Sequence, residues 1–229
     1  MELLNYLFEP VVASAEIAGA DARYPVHRVY CVGRNYAEHV REMGADEREP
    51  PFFFMKPADA VVPGGGEIRY PSATENLHYE MELVIAIGTA GESIASAQAL
   101  DHIWGYGVGI DLTRRDLQLE ARNKGRPWDA GKGFDHSAPV SALHPAIEIG
   151  HPETGRIWLD VNGERRQDSD ISHLIWSVPE IVVALSELYT LAPGDLIFTG
   201  TPAGVGAIAS GDVVEGGVDG VDKIQMTLV

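Results

Sequence analysis

The sequence predicts an α+β fold in which strands dominate and helices are interspersed. Three observations support this prediction. The segment from Tyr79 to Gly88 alternates its side chains between two faces, as a strand does. The dipeptide Asn162-Gly163 lies between two strand-like runs and suits a tight hairpin turn, in which both residues need a positive φ. Helical segments occur between the strands without the regular alternation of a Rossmann sheet or a TIM barrel.

The N-terminal part of the chain divides into an arm and the start of a compact domain. Residues 1–24 are expected to form an irregular arm, and residues 25–229 a catalytic domain. A strand from His27 to Val32 opens the domain, followed by a turn and a short helix near residues 36–43. The other predicted elements are a loop-like segment at 50–66, helices at 96–102, 112–124 and 178–188, and strands at 104–110, 158–166, 196–199 and 212–229.

Composition limits the classes of partner. The chain has 229 residues with a net charge of -17, which repels nucleic acid and anionic lipid. No apolar run approaches the roughly 20 residues that span a bilayer, and the N-terminus does not resemble a secretory signal. The one cysteine, Cys31, is best interpreted as a small buried hydrophobic residue. We therefore expect a cytoplasmic protein without nucleic-acid or membrane partners.

Two glutamates interrupt the apolar strand near residue 80. Glu80 and Glu82 are two positions apart, so their side chains point to the same face. On a buried face their charges would repel unless a cation lay between them, whereas on a solvent-facing edge they would be ordinary surface residues. Asp111 follows the next apolar strand and is either a third carboxylate or the N-cap of a helix. Three carboxylates without Cys or His would suit Mg²⁺, Mn²⁺ or Ca²⁺ rather than zinc.

Three further residues are candidates for chemistry. His39 and Glu42 lie three positions apart in a predicted helix and so share a face. A carboxylate that orients an imidazole produces a general base, although such a pair on a helix is more commonly a surface pair. Lys132 lies among small residues and either presents its ammonium group to a ligand or is a plain loop lysine.

Six segments together resemble the fumarylacetoacetate hydrolase family, in family order and over nearly everything from about residue 25 onwards. The matching strings are Cys31-Val-Gly-Arg-Asn-Tyr-Ala-Glu-His-Val-Arg-Glu42, Phe54-Met-Lys-Pro57, Asn76-Leu-His-Tyr-Glu-Met-Glu-Leu83, Gly109-Ile-Asp-Leu-Thr-Arg-Arg-Asp-Leu-Gln118, Lys124-Gly-Arg-Pro-Trp128 and Thr199-Gly-Thr-Pro-Ala-Gly-Val-Gly206. The resemblance implies a mixed β-roll or sandwich with peripheral helices, of the type of this family's C-terminal domain. It also implies a homodimeric enzyme of aromatic catabolism, such as the gentisate pathway.

The resemblance implies a role for each site residue. Glu80, Glu82 and Asp111 correspond to ligands of Mg²⁺ or Mn²⁺, which Ca²⁺ could replace in a crystal. His39 and Glu42 correspond to a dyad that activates water, and Lys132 to a catalytic lysine beside the metal. The implied substrate contacts are Arg34, Tyr36, Gln118 and Thr201.

The implied reaction is hydrolysis of a carbon–carbon bond in an acylpyruvate, a small anionic diketo acid. Fumarylpyruvate, which would give fumarate and pyruvate, is the expected substrate. Its distal carboxylate would need a cation away from the metal, and the candidates are Arg34, Lys56, Arg114 and Arg126. An oxaloacetate decarboxylase and a diketo-acid isomerase or tautomerase are alternatives on the same scaffold. A calcium-stabilised binding protein without catalysis is the alternative from another class.

Overall fold

Strands form most of the regular structure in the computed structural model, which describes residues 6–36 and 49–229. In chain order the strands are β1 (Ser14–Glu16), β2 (Arg23–Pro25), β3 (Arg28–Gly33), β4 (Phe52–Lys56), β5 (Val61–Pro63), β6 (Gly65–Ile68), β7 (Leu77–Tyr79), β8 (Met81–Ile87), β9 (Ile103–Ile110), β10 (Thr113–Arg114), β11 (Ala138–Val140), β12 (His144–Pro145), β13 (Arg156–Val161), β14 (Glu164–Asp170), β15 (Asp195–Phe198), β16 (Gly206–Ile208), β17 (Val213–Val218) and β18 (Asp222–Leu228).

Helices are few among the described residues. The α-helices are α1 (Arg115–Asn123), α2 (Asp129–Lys132), α3 (Ala146–Ile149) and α4 (Val178–Leu188). Short 3-10 helices occupy Ala58–Ala60, Ser96–His102 and Ile171–His173. Within the part of the chain that the structure describes, none of these helices combines the length and the apolar character needed to cross a membrane. The predicted α+β class is confirmed.

A mixed eight-stranded sheet forms the centre of the domain, with the order β4-β3-β15-β8-β9-β11-β5 and with β12 paired to β9. Strand β8 is buried on both faces. Its odd-numbered residues from Met81 to Ile87 join the larger apolar cluster, and Val84 and Ala86 join a second cluster on the opposite face. The predicted alternation of this strand is confirmed, and neither face is a solvent-exposed edge.

A five-stranded sheet, β14-β13-β17-β18-β6, packs on the larger cluster and contributes Leu159, Val214 and Met226 to it. A small three-stranded sheet, β10-β7-β16, lies beside the start of β8. The chain therefore passes from the small sheet into the central one at Glu80, which separates β7 from β8. The predicted continuous strand from residue 79 to 88 is interrupted at this residue.

Several local predictions are confirmed. The hairpin turn between β13 and β14 has positive φ at Asn162 (52°) and Gly163 (79°), as a two-residue turn requires. Helix α4 begins after Ser177, whose backbone N–H donates to the Glu180 carboxylate at 2.8 Å. This contact belongs to a capping box, which stabilises the first turn. The predicted helix near residues 36–43 lies largely outside the described residues.

Three predictions about local structure are wrong. Residues 50–66 are not loop-like, because β4, β5 and β6 pair with neighbouring strands despite the Pro and Gly residues in this segment. Helix α1 begins at Arg115 rather than at residue 112, because Thr113 and Arg114 pair with β7. Asp111 is therefore not a helix N-cap.

The described part of the N-terminal segment is not wholly irregular. Strands β1 and β2 pair as a hairpin, in which Ala15 lies opposite Tyr24, and both side chains are buried. The Tyr24 hydroxyl donates to the backbone carbonyl of Ile87 at 2.7 Å. This contact attaches the hairpin to the end of β8.

Glycines on one face of β9 allow close packing over the central sheet. Gly105, Gly107 and Gly109 alternate along the strand, so the same face carries no side chains. A Cβ at Gly105 would lie 2.2 Å from the backbone oxygen of His144, and one at Gly109 would lie 2.6 Å from the Phe198 ring. Strand β12 and Phe198 occupy the space that larger residues would fill.

We expect Gly105→Ala to lower the free energy of unfolding by about 1–3 kcal/mol, because the added methyl group meets backbone rather than a movable side chain. Urea unfolding followed by circular dichroism would measure the change. An unchanged midpoint with an unchanged slope would show that β12 does not depend on this close approach.

Candidate metal centre and active site

Three carboxylates converge where β8 and β9 meet. The strands are antiparallel and pair Glu82 with Gly109, which brings the residue after β9, Asp111, beside Glu80. The backbone N–H of Asp111 donates to the carbonyl of Glu80 at 2.8 Å. One oxygen from each of Glu80, Glu82 and Asp111 lies within 4.8 Å of the others, and all three residues are buried. The predicted solvent-facing alternative for these glutamates is therefore wrong.

Lys132 lies between two of the carboxylates. This residue ends α2 and is 2% exposed. Its Nζ donates to Glu80 Oε2 at 2.9 Å, to Asp111 Oδ2 at 2.7 Å and to the Thr113 hydroxyl at 2.6 Å. Burial lowers the pKa of Lys132, but Asp111 and Glu80 raise it more, so the net shift is upward and the ammonium stays charged. Lys132 is thus a buried cation of the site and not a plain loop lysine.

A second buried lysine lies behind Asp111. Lys56, at the end of β4, is 1% exposed, and its Nζ lies 2.9 Å from Asp111 Oδ1. It donates to the backbone carbonyls of Leu112, at 3.1 Å, and of Lys132. Lys56 therefore ties together the segment after β9 and the end of α2.

Arg115 supplies a third cation. It forms an ion pair with Glu80 Oε1 and donates to the Gln118 side-chain oxygen one turn further along α1. Its Nε donates to His78 Nδ1 at 3.4 Å. Burial, with the nearby Arg115 charge, lowers the pKa of His78 to about 4, so the imidazole is neutral and can accept this bond.

The carboxylates differ in their electrostatic environment. Burial raises the pKa of Glu80. The charges and hydrogen bonds of Lys132 and Arg115 lower it by a larger amount, so the net shift is downward and Glu80 remains ionised. Burial raises the pKa of Glu82 well above its usual range, and Asp111 and Glu80 add to the effect. Within the described residues, no cationic side chain pairs with Glu82, and its Oε2 accepts only the backbone N–H of Gly200, at 2.6 Å.

The donor set fits a hard divalent cation. Three carboxylates offer oxygen ligands only, which Mg²⁺, Mn²⁺ and Ca²⁺ prefer. Glu82 is the carboxylate that most lacks a compensating charge, because no cationic side chain of the described residues pairs with it, whereas Lys56 lies 2.9 Å from Asp111 Oδ1. A cation among the three ligands would compensate Glu82.

A cleft adjoins two of the carboxylates, Glu80 and Glu82, which are among its lining residues. The other residues that line it include Arg34, Phe52, Arg115, Gln118, Lys132 and Thr201. Arg34 has a positive φ of 58° and packs its guanidinium 5.6 Å from the centre of the Phe52 ring. Its Nε is buried without a hydrogen-bond partner in the described part of the chain. An anion in the cleft could satisfy this donor.

Three of the four predicted substrate contacts, Arg34, Gln118 and Thr201, line the cleft. The fourth, Tyr36, is buried and is not among the lining residues. Its backbone forms an isolated antiparallel β-bridge with Leu174. The predicted dyad of His39 and Glu42 lies outside the described residues, three and six positions beyond Tyr36.

The four cations predicted as candidates to bind the distal carboxylate of the substrate lie in different environments. Arg34 lines the cleft, whereas Lys56 is buried against Asp111. Arg114 stacks on the Phe134 ring at 4.3 Å and, like Arg126, is not among the lining residues. Arg115, which follows Arg114 in the sequence and begins helix α1, is the arginine of this segment that reaches the site.

Sequence reasoning also missed Gln167. This buried residue of β14 donates to the Thr201 hydroxyl at 2.8 Å from a different sheet. Alternation along β14 indicates only that its side chain points inward. No sequence motif pairs residue 167 with residue 201, so this contact follows from the tertiary fold.

Most of the chain is similar in sequence to known proteins. A family model described as "Fumarylacetoacetate (FAA) hydrolase C-terminal" matches residues 28–229. A fumarylpyruvate hydrolase of Ralstonia sp is 48% identical over 79% of this chain and 93% of that protein. The mitochondrial oxaloacetate tautomerase FAHD1 of Rattus norvegicus is 46% identical over 86% of this chain and 89% of that protein.

One solved structure is similar over almost the whole chain. It is a fumarylpyruvate hydrolase from Pseudomonas aeruginosa in complex with Mn²⁺ and pyruvate, 56% identical, with a TM-score of 0.96 over 98% of this chain and 99% of that one. The predicted mixed β-roll of the family's C-terminal-domain type is thereby confirmed.

We expect Mn²⁺ to stabilise the protein through the three carboxylates. At a free concentration of 100 times its Kd, the ion should raise the free energy of unfolding by about 2.7 kcal/mol. In Glu82→Gln the metal ligand set is incomplete, so the same concentration should have little effect. Thermal unfolding with and without Mn²⁺ would measure both. Equal stabilisation of the two proteins would place the ion elsewhere, and Glu187→Gln, which changes an exposed glutamate, is the matched control.

Proposed function

Because the chain belongs to the fumarylacetoacetate hydrolase family, we propose that it is a metal-dependent hydrolase that cleaves fumarylpyruvate to fumarate and pyruvate. The observation that carries the proposal is the buried cluster of Glu80, Glu82 and Asp111 beneath a cleft that presents Arg34 and Lys132. The similar hydrolase structure that holds Mn²⁺ and pyruvate supports the same reading.

Glu80, Glu82 and Asp111 would hold Mg²⁺ or Mn²⁺. When bound, such a cation acts as a Lewis acid toward the oxygens of a 2-oxo acid. The chain supplies three carboxylates and, from Lys132, Lys56 and Arg115, an equal number of cations around them. These charges balance, so a divalent cation leaves a local excess of positive charge. That excess suits a dianionic substrate in a protein whose net charge is -17.

The chain's own residues would divide the remaining work. His39, oriented by Glu42, would take a proton from water as the oxygen adds to the carbonyl carbon of the fumaryl group. The bond between that carbon and the pyruvyl methylene then breaks, its electron pair leaves as the enolate of pyruvate, and a proton returns to the methylene carbon. The Lys132 ammonium, whose three hydrogens are donated to Glu80, Asp111 and Thr113, would stabilise the developing negative charge through its own positive charge. Arg34 would bind the distal carboxylate.

Oxaloacetate tautomerisation is a second candidate, because the FAHD1 relatives match most of the chain. A tautomerase moves a proton between carbon and oxygen and breaks no carbon–carbon bond. An oxaloacetate decarboxylase would release carbon dioxide. Product analysis separates these reactions from hydrolysis, which releases fumarate. Assembly as a homodimer, a cytoplasmic location and a place in the gentisate pathway are part of the proposal and rest on the family resemblance.

We expect the Mn²⁺-loaded enzyme to convert fumarylpyruvate to fumarate and pyruvate with a higher kcat/KM than acetylpyruvate. Acetylpyruvate lacks the distal carboxylate, and loss of a charge-assisted hydrogen bond of about 1.5–3 kcal/mol lowers kcat/KM by roughly 10- to 150-fold. In Arg34→Met the difference between the two substrates should become small. Loss of enol absorbance and chromatography of the products would measure both rates.

Two outcomes would contradict this expectation. Equal kcat/KM values for the two acylpyruvates in the unmodified enzyme would show that no distal carboxylate is recognised. Interconversion of the oxaloacetate tautomers, with no fumarate formed from fumarylpyruvate, would assign the tautomerase reaction instead.

We also expect His39→Ala to lower kcat by roughly 10²–10⁴, the range of general acid–base catalysis, because the attacking water loses its proton acceptor. The Kd for Mn²⁺ should stay within about twofold, because His39 is not among the proposed ligands. Steady-state kinetics and calorimetric titration would test this. His102→Ala removes a half-buried imidazole that donates to the Thr89 carbonyl and does not line the cleft, and it serves as the control. A native kcat in His39→Ala would place the base elsewhere.

A further inference from the structure

A buried amide from the five-stranded sheet reaches the wall of the cleft. Gln167 of β14 is fully buried, and within Glu164–Asp168 it is the one buried residue. We propose that Gln167 is a positioning residue that fixes the Thr201 hydroxyl as a hydrogen-bond donor toward a carboxylate oxygen of the substrate. The inference rests on the proposed function in one respect, because the substrate must be a carboxylate.

The neighbours of Gln167 determine which end of its amide is the donor. The backbone N–H of Met81, which lies between Glu80 and Glu82, donates to Gln167 Oε1 at 3.0 Å. A backbone N–H can only donate, so the oxygen must face it. The amide nitrogen then faces the other way and donates to Thr201 Oγ1 at 2.8 Å and to the carbonyl of Pro202 at 2.9 Å.

This arrangement sets the direction of the hydrogen bond at Thr201. A threonine hydroxyl has one hydrogen and two lone pairs, and one lone pair accepts from Gln167. Both hydrogens of the Gln167 amide are used, and its oxygen faces Met81, so Gln167 cannot accept the hydroxyl hydrogen. Thr201 is 4% exposed and lines the cleft with Arg34 and Lys132. Its hydrogen is therefore available to an acceptor in the cleft, and a carboxylate oxygen accepts strongly.

The backbone holds Gln167 and Thr201 in this relation. The register between β13 and β14 shifts after Leu159, which pairs with Gln167, while Asp160 pairs with Arg165. Arg166 is thus the extra residue of a bulge, a feature that redirects the adjacent side chains. Gly204 packs so closely on this bulge that a Cβ would lie 2.1 Å from the Arg166 carbonyl oxygen. The loop that carries Thr201 is therefore seated directly on the strand that carries Gln167.

A double-mutant cycle tests the proposal. Thr201→Val removes the donor, and we expect it to raise KM for fumarylpyruvate and the inhibition constant of pyruvate by about tenfold, the effect of one hydrogen bond to a charged group. Gln167→Met keeps the side-chain length but leaves the hydroxyl free to turn, so we expect a rise of about three- to tenfold with a smaller change in kcat. In the Thr201→Val background, Gln167→Met should add less than twofold.

A second variant keeps the proposal testable if Gln167→Met fails to fold. Gln167→Glu retains the acceptor for the Met81 N–H and offers the Thr201 hydroxyl an acceptor away from the cleft. We expect it to raise KM as much as Thr201→Val does. Gln225→Met, which changes an exposed glutamine of β18, is the matched control and should leave KM unchanged.

Two results would overturn the proposal. One is a KM within twofold of the unmodified value in folded Gln167→Met or Gln167→Glu. The other is a Gln167→Met effect of the same size with and without Thr201→Val, which would indicate a general structural role. If the unmodified protein fails to hydrolyse fumarylpyruvate, the same cycle is measured by titrating the Mn²⁺-loaded protein with pyruvate, so failure of the proposed function remains distinguishable.

Discussion

The structure around the site depends on the burial of three carboxylates within 4.8 Å of one another. Charges removed from water are tolerated only when they are paired and hydrogen-bonded. The compensating cations come from three separate elements: Lys56 from β4, Lys132 from α2 and Arg115 from α1. Electrostatic contacts as well as apolar contacts therefore join the edge strand β4, the helices α1 and α2 and the centre of the main sheet at this point.

The sheets place two of the three carboxylates at strand ends. Glu80 occupies the break between β7 and β8, and Asp111 follows the last residue of β9, so both lie at strand ends. The glycine-bearing face of β9 lets Phe198 pack against the strand. Residue Phe198 ends β15, which leads directly into the loop of Gly200 and Thr201. The loop whose Gly200 N–H donates to Glu82 is thus positioned by the same central strands that carry the ligands.

Sequence alone predicted much of this site, for identifiable physical reasons. The i, i+2 spacing of Glu80 and Glu82 predicts a shared face. The sequence left Asp111 open between a third carboxylate and a helix N-cap, and the pairing of β8 with β9 brings it beside Glu80. The roles of Arg115 and Gln167 depend on contacts across long sequence separations, which no local pattern encodes. Residues 50–66 looked like a loop because Pro and Gly are common there, but pairing with other strands overrides this local preference. His39 and Glu42 lie outside the described residues, and their role stays a prediction.

The position of Lys132 has a consequence for how the site is assembled. Its ammonium already bridges Glu80 and Asp111 at 2.9 and 2.7 Å, and the raised pKa of Glu82 lets that side chain hold a proton. The acidic cluster therefore has internal neutralisation that requires no cation from solution. We therefore expect removal of the ion to leave a folded protein with its cage in place rather than an unfolded chain.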